Sequence, residues 1–230
     1  MKSYSQNIVI DLEFTQVDQK YKRRTFRQEI IQIGSVRVSP SGEVLDSFSS
    51  YVRPEYTSSV SVKVRDLTGI RFRDVYDENP LSVVLGLFRE WVGDKGRTRF
   101  VTWSENDLKQ LRQETSFKEI EFPEAHKRWL DLQKIYPRIM AVGNGKRMSL
   151  HSAADWYGIK LSEENLHGAL YDARVTAELL RNLLTKDYLI QKNMLTEVMP
   201  GQGNSKSASY SIGDKFSSLL ALKERLENEG

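Results

Sequence analysis

One stretch constrains this chain more than any other: Asn7-Ile8-Val9-Ile10-Asp11-Leu12-Glu13-Phe14-Thr15. Three consecutive β-branched residues predict a buried strand. Side chains alternate along a strand, so Asp11 and Glu13 point to one face. Two carboxylates on one face beside an apolar run repel each other and lose hydration, and a divalent cation is the usual compensation. The alternative is a solvated strand end, because a lone D-x-E also arises by chance. The residues downstream must decide between the two.

Strand and helix signals alternate after this stretch. Glu29 to Val38 reads as a second strand, Pro40-Ser41-Gly42 as a turn, and Val44 to Val52 as a third strand, an antiparallel meander at one edge of a mixed sheet. A short helix ending at Gly69 follows. Pro80 opens a helix through Trp91, with Leu81, Val84, Leu85, Leu87, Phe88 and Trp91 as its core stripe. Arg99 to Ser104 is a fourth strand, and Asp107 begins the helix after it. There Asp107 either caps the helix or presents a carboxylate beyond the strand's carboxyl end, where α/β folds place their sites. Trp129 to Leu132 is a fifth strand, and Pro137 breaks the segment behind it. Ser149 to Trp156 is a helix packing through Leu150, Ala153, Ala154 and Trp156, closed by Gly158. A long helix then carries Asp172 in its first turns. His167 precedes Asp172 by five, about 140° away on a continuous helix, so the two meet at one site only if His167 lies on the loop before it. His126 and His151 read as a solvent-facing and a capping or packing residue.

This alternation gives an α/β layer fold over residues 1–199. Residues 200–213 are rich in Gly, Ser and Asn and read as a linker. Residues 214–230 read as an amphipathic helix that docks on its own domain or on a protein partner. No apolar run approaches the ~20 residues of a membrane helix, and no signal-peptide core is evident. The chain has no cysteine, which excludes disulfides and thiolate metal sites, and a cytoplasmic location is the expectation. A net charge of +3 does not by itself indicate nucleic acid. Its distribution says more: Lys20, Lys22, Arg23, Arg24 and Arg27 cluster after the acidic strand, interleaved with Tyr21 and Phe26. Such a segment is either a backbone-tracking, base-stacking surface or a solvated loop.

Asp11-Leu12-Glu13, Asp107 within Thr102-Trp103-Ser104-Glu105-Asn106-Asp107-Leu108, and His167-Gly168-Ala169-Leu170-Tyr171-Asp172-Ala173 together resemble the three ordered motifs of the DEDDh 3′→5′ exonucleases. The resemblance covers roughly residues 7 to 185 and implies an RNase H-like fold, a mixed five-stranded sheet flanked by helices, to which the helix read at 214–230 is a short C-terminal appendage. The sibling tyrosine-type family has Tyr four before the last Asp, where this chain has Gly168. Trp103 and Trp129-Leu130-Asp131-Leu132 look like the Eri-type exoribonuclease subgroup, which includes bacterial proteins of the KapD type.

The resemblance implies hydrolysis of phosphodiester bonds at the 3′ end of single-stranded nucleic acid, RNA favoured, releasing nucleoside 5′-monophosphates. Two divalent cations, Mg²⁺ or Mn²⁺, suit an all-carboxylate donor set and hold both oxygens of an in-line displacement. By the same resemblance Asp11 bridges the cations, Glu13 and Asp172 serve the nucleophile side, and Asp107 the leaving-group side. His167 is the general base, since imidazole titrates near neutral pH. Phe14 and Thr15 would hold the terminal 3′-hydroxyl end, and Leu67-Thr68-Gly69 would line the terminal-base pocket, Leu67 being otherwise a core residue. Lys22, Arg23 and Arg24 are candidate contacts to the strand. The rival readings are a DNA-directed exonuclease, since the motifs do not read the 2′-hydroxyl, and a regulatory binding module. A two-carboxylate glycoside hydrolase explains neither the third and fourth acids nor His167.

Overall fold

Residues Gln6–Gln16 form β1, Gln28–Val38 β2, Val44–Tyr51 β3, Thr98–Thr102 β4 and Trp129–Asp131 β5. The computed structural model describes residues 4–93, 97–127, 129–140, 145–159 and 168–185. The strands form one mixed sheet in the order β3-β2-β1-β4-β5. β1 and β3 run antiparallel to β2, while β4 lies parallel to β1 and β5 parallel to β4. Helices α1 (Val62–Thr68), α2 (Phe72–Val75) and α3 (Leu81–Val92) lie between β3 and β4 in sequence. Next come α4 (Glu105–Phe117), between β4 and β5, then α5 (Leu132–Ile139), α6 (Leu150–Trp156) and α7 (Ala169–Thr185). This is the five-stranded RNase H-like architecture that the motifs imply. The expected linker at 200–213 and helix at 214–230 lie outside the described residues, and so does His167.

Alternation along β1 builds two cores. Ile8, Ile10 and Leu12 join Ile33, Phe100, Leu81, Val84, Leu85, Phe88 and Leu111 on the side of α3 and α4. Val9 joins Val36, Val101, Trp103, Leu132, Tyr136, Ala153, Ala173 and Leu180 on the side of α5, α6 and α7. Asp11 and Glu13 continue the second face, so the strand that buries Val9 against α7 also delivers both acids to it. Each fully buried aliphatic side chain contributes roughly 1.5–3 kcal/mol.

The close approach of α7 to β2 sets where that delivery ends. Gly34 stands opposite Asp11 in the β1–β2 register. A Cβ at Gly34 would lie 2.1 Å from both the Ala169 carbonyl carbon and the Leu170 nitrogen. Only glycine lets the first turn of α7 rest directly on the strand. Gln32, opposite Glu13, accepts the Ala169 N–H through Oε1 at 3.0 Å and so satisfies one of the unpaired donors of that helix start.

On the other flank, buried Arg37 fastens β2 to the end of α3. Its Nε donates to Asp46 at 2.9 Å and its Nη1 to Val92 O at 3.1 Å, while the guanidinium lies 4.5 Å over the Trp91 ring. It also donates to the Trp91 carbonyl.

Several sequence expectations need correction. Leu87 and Trp156 are 44% and 64% exposed rather than packed. Each lies six residues after the first residue of its helix's buried set, about 120° off that face at 3.6 residues per turn, so apolar character lost to angular position. Pro137 does not break its segment but lies inside α5. Buried Leu132, Tyr136 and Ile139 hold that short helix on the core despite the missing N–H. Other expectations are met. Gly69 ends α1 with φ +74°, in the left-handed region that favours glycine. Pro80 sits at the N-cap of α3 and Ser149 at that of α6.

Candidate active site

β1 pairs with β4 only over Gln6–Val9, so Asp11 and Glu13 stand beyond the paired stretch, toward the carboxyl end of the parallel strands. A bulge follows at once: Glu13 faces Gln32, but Phe14 faces Ile30. Such an extra residue twists the ribbon locally and re-aims the side chains beside it. Asp172, in the first turn of α7, completes a cluster in which carboxylate oxygens of Asp11, Glu13 and Asp172 all lie within 4.8 Å of one another. The start of a helix also favours a negative charge there.

Asp107 approaches from α4. It does not cap that helix, because Ser104 does, accepting the Asn106 N–H at 3.3 Å. Asp107 is instead buried and accepts the Leu12 N–H through Oδ1 at 3.3 Å. The far half of α4 is fastened to β2 as well. Glu114 accepts the Ile30 N–H at 2.7 Å, and Gln110 donates to the Gln28 carbonyl at 2.9 Å. Lys118 bridges Glu114 at 2.9 Å and Glu29 at 3.4 Å. Asp107 thus sits on a helix held at several points to the ribbon that carries the other acids.

Crowding and burial leave these carboxyls reluctant to ionise. Burial raises Asp11 well above its usual range, and the charges of Asp107, Asp172 and Glu13 add to the rise. Burial, then Asp172 and Asp107, push Glu13 up to about 8. Asp107 is pushed up to about 7, chiefly by burial, against the opposing pull of the Leu12 N–H and the Ser104 hydroxyl. Such a cluster holds either protons or a cation, and an all-oxygen donor set at this spacing fits Mg²⁺ or Mn²⁺.

The acids open into a cleft of about 460 Å³. Phe14, Leu67 and Thr68 line it, and Leu67 is 47% exposed, which makes it a cleft residue and not core. Thr15 is fully buried and lies outside the cleft lining. It has the strand parity of Asp11 and Glu13 but lies beyond the bulge that follows Glu13. Lys22, Arg23 and Arg24 do not line the acid cleft either. They line a neighbouring recess of about 380 Å³.

Sequence reasoning missed Trp103, Asn106 and Lys63 in the cleft wall. It also missed the nearness of His151, whose Nε2 lies 3.6 Å from Asp172 Oδ1. Trp103 and Asn106 lie within the second motif as quoted and were findable from it. Lys63 and His151 arrive by folding from α1 and α6 and carry no local signal.

An exonuclease family description, that of RNase T, matches residues 8–180. The chain belongs to the RNase T exonuclease family. Among relatives, ERI1 exoribonuclease 2 of Danio rerio is 34% identical over 199 residues, 77% of this chain and 35% of that protein. Probable 3′-5′ exonuclease KapD of Bacillus subtilis (strain 168) is 32% identical over 181 residues, 78% of this chain and 84% of that protein. This RNase T-type chain therefore spans about a third of the zebrafish protein and most of the Bacillus one. The nuclease domain of 3′hExo, a DEDDh member bound to rAMP, superposes with a TM-score of 0.70 at 24% identity, covering 80% of this chain and 94% of that one. At that identity the likeness speaks for the fold. The DEDDh resemblance, with its Eri-type and KapD branch, is borne out, and in this RNase T-type chain Asp11, Glu13, Asp107 and Asp172 line one cleft.

Proposed function

We propose that the chain is a metal-dependent 3′→5′ exonuclease that releases nucleoside 5′-monophosphates from single-stranded ends, RNA favoured. The observation that carries this reading is the convergence of Asp11, Glu13 and Asp172 within 4.8 Å, with buried Asp107 beside them, in a cleft open to solvent. Asp11, Glu13 and Asp172 would hold one divalent cation, and Asp11 with Asp107 would hold a second. When bound, these cations neutralise the carboxylates and stabilise the charge that grows on the entering and leaving oxygens.

The protein's own residues do the rest. Phe14 and Leu67 give the cleft an apolar wall for the terminal base, with Thr68 beside it. By the family resemblance, His167 would take the proton of the attacking water at its imidazole. The Gln32 cap and the Gly34 contact fix the start of α7, which orients Asp172. The RNA preference is supported by the zebrafish relative's name, an exoribonuclease, and by the rAMP held by 3′hExo.

The test uses 5′-labelled RNA and DNA of identical sequence with Mg²⁺, Mn²⁺ or chelator, beside Asp11→Asn. A metal-dependent ladder shortening from the 3′ end, faster on RNA and absent in the variant, is the expected result. Faster DNA cleavage would reverse the substrate preference, and a ladder retained in Asp11→Asn would refute the site.

A further inference from the structure

The β1–β2 hairpin does not end at the acids. Its ladder continues to Gln16 opposite Gln28, and its tip, residues 17–27, is a closed and anchored loop rather than a loose one. Val17 N–H donates to the Arg27 carbonyl at 3.1 Å, and Arg23 and Phe26 exchange backbone hydrogen bonds at 2.9 and 3.3 Å. Phe26 is buried and stacks on Phe117 at 3.8 Å, while Tyr56 packs edge-on against Phe26 and Tyr21. Ordering a loop this way offsets the entropy cost that makes an ordinary charged loop a poor ligand site.

The tip encloses a recess of about 380 Å³ lined by Gln16, Gln19, Lys22, Arg23, Arg24 and Arg27. Four cations and two amides line it, and no acid does. The nearest acid in sequence, Asp18, is turned to Ser58, with its Oδ1 accepting the Ser58 N–H at 3.3 Å. Among the described residues none of the four cations forms an ion pair. The Arg23 Nη1 donates to the Lys20 and Lys22 carbonyls at 3.2 and 3.0 Å, which holds that guanidinium in the loop. Gln16 lines both this recess and the acid cleft.

A cationic hollow on an ordered loop, joined to a hydrolytic cleft, calls for an anion that enters with the substrate. We propose that this recess is a second phosphate subsite, holding a non-scissile backbone phosphate of the nucleic acid whose 3′ end lies in the cleft. The proposal rests on the exonuclease reading above. Gln16 is three residues beyond Glu13, about 10 Å along the strand at ~3.3 Å per residue. At ~3.4 Å rise per stacked nucleotide this is about three nucleotides from the reacting phosphate. The phosphate comes from the strand being shortened or from a strand paired to it, and the test separates the two.

The experiment compares the wild-type chain with Lys22→Gln/Arg24→Gln/Arg27→Gln. Arg23 is left intact because it braces the loop. Affinity is read by fluorescence anisotropy in chelator, without turnover, for single strands of two, four, eight and twelve nucleotides and for a hairpin with a two-nucleotide 3′ overhang. The ratio of kcat/KM between the twelve-mer and the dinucleotide is read with Mn²⁺. The expected result is at least a tenfold loss of affinity for strands of about four nucleotides and longer, with a matching fall in that ratio. The salt slope should flatten by roughly 0.7 for each phosphate no longer neutralised. Restoration by Lys22→Arg/Arg24→Lys/Arg27→Lys is expected, since charge is what the subsite reads. Loss confined to the hairpin would support the subsite and assign its phosphate to the paired strand. No loss on any ligand, or equal loss on the dinucleotide and the twelve-mer, would overturn the proposal. Failure of wild type to cut any strand while binding still depends on these cations would overturn the catalytic reading and leave the subsite standing.

Discussion

Replacing Gly34 by alanine would drive a methyl group into the backbone of α7. The added carbon would stand 2.1 Å from two backbone atoms of Ala169 and Leu170, where ordinary contact begins at about 3.4 Å. The helix start or β2 must give by more than 1 Å, and neither neighbour is the free end of a side chain. Overpacking of this kind costs about 1–3 kcal/mol. For a domain of this size that is a fall of about 2–12 °C in Tm. The larger effect falls on the site. Asp172 is three residues beyond Ala169, and Gly34 stands opposite Asp11, so the displacement separates carboxylates now within 4.8 Å. A misplacement of about 1 Å at reacting groups costs on the order of 100-fold in rate. Thermal melting in chelator, Mn²⁺ binding by calorimetry and single-turnover cleavage of a labelled RNA measure the three effects. Gly86→Ala is the control: Gly86 is exposed within α3, its added methyl meets nothing within 4 Å, and helix propensity predicts a gain of about 1 kcal/mol. Wild-type melting, metal affinity and cleavage in Gly34→Ala would refute the contact as the device that positions Asp172.

Further expectations concern charge and extent. With Glu13 raised to about 8 and Asp107 to about 7, the folded metal-free protein binds more protons than the unfolded chain between about pH 4.5 and 8. Its stability therefore falls as pH rises through that window. Tm in chelator should drop across it, Mn²⁺ should recover the loss at pH 8, and Glu13→Gln should flatten the slope; a Tm that climbs with pH would contradict this. Arg37→Ala leaves the half-exposed Asp46 unpaired and strips the buried Val92 carbonyl of a donor, and should cost about 1–3 kcal/mol by urea denaturation. Removal of residues 200–230 should leave cleavage of short oligonucleotides unchanged, and lost turnover would assign the tail to the catalytic unit.

What the sequence disclosed follows from the range of the forces involved. Strand β1 was legible because alternation is a local property, and it put Asp11 and Glu13 on one face without knowledge of any neighbour. Asp107 was ambiguous because position alone does not distinguish a cap from a ligand. Its hydrogen bond to the Leu12 N–H, 95 residues away in sequence, turns it toward β1 and away from the cap role that Ser104 fills. Leu87 and Trp156 were misjudged because composition was weighed above angle. Gly34 was invisible, since a glycine in a strand signals close approach only once the approaching helix is known. Thr15 has the parity of the acids, yet it is fully buried beyond the bulge after Glu13, a register shift with β2 that no local pattern announces.

The hairpin that bears the acids also fixes how far its cationic tip stands from them. Its two arms are laddered as far as Gln16 and Gln28, and its tip is stapled by Phe26, so the separation between cutting point and cationic tip is set by residue count. An insertion of one residue in each arm turns every later side chain to the opposite face, whereas two per arm preserve the faces and carry the tip about 7 Å further out. The spacing therefore changes in steps of two residues, and a longer hairpin gives up the Phe26–Phe117 stack that staples its tip to α4. Under the proposed subsite, the shortest strand retained would then be written in strand length, apart from the carboxylates of the cleft.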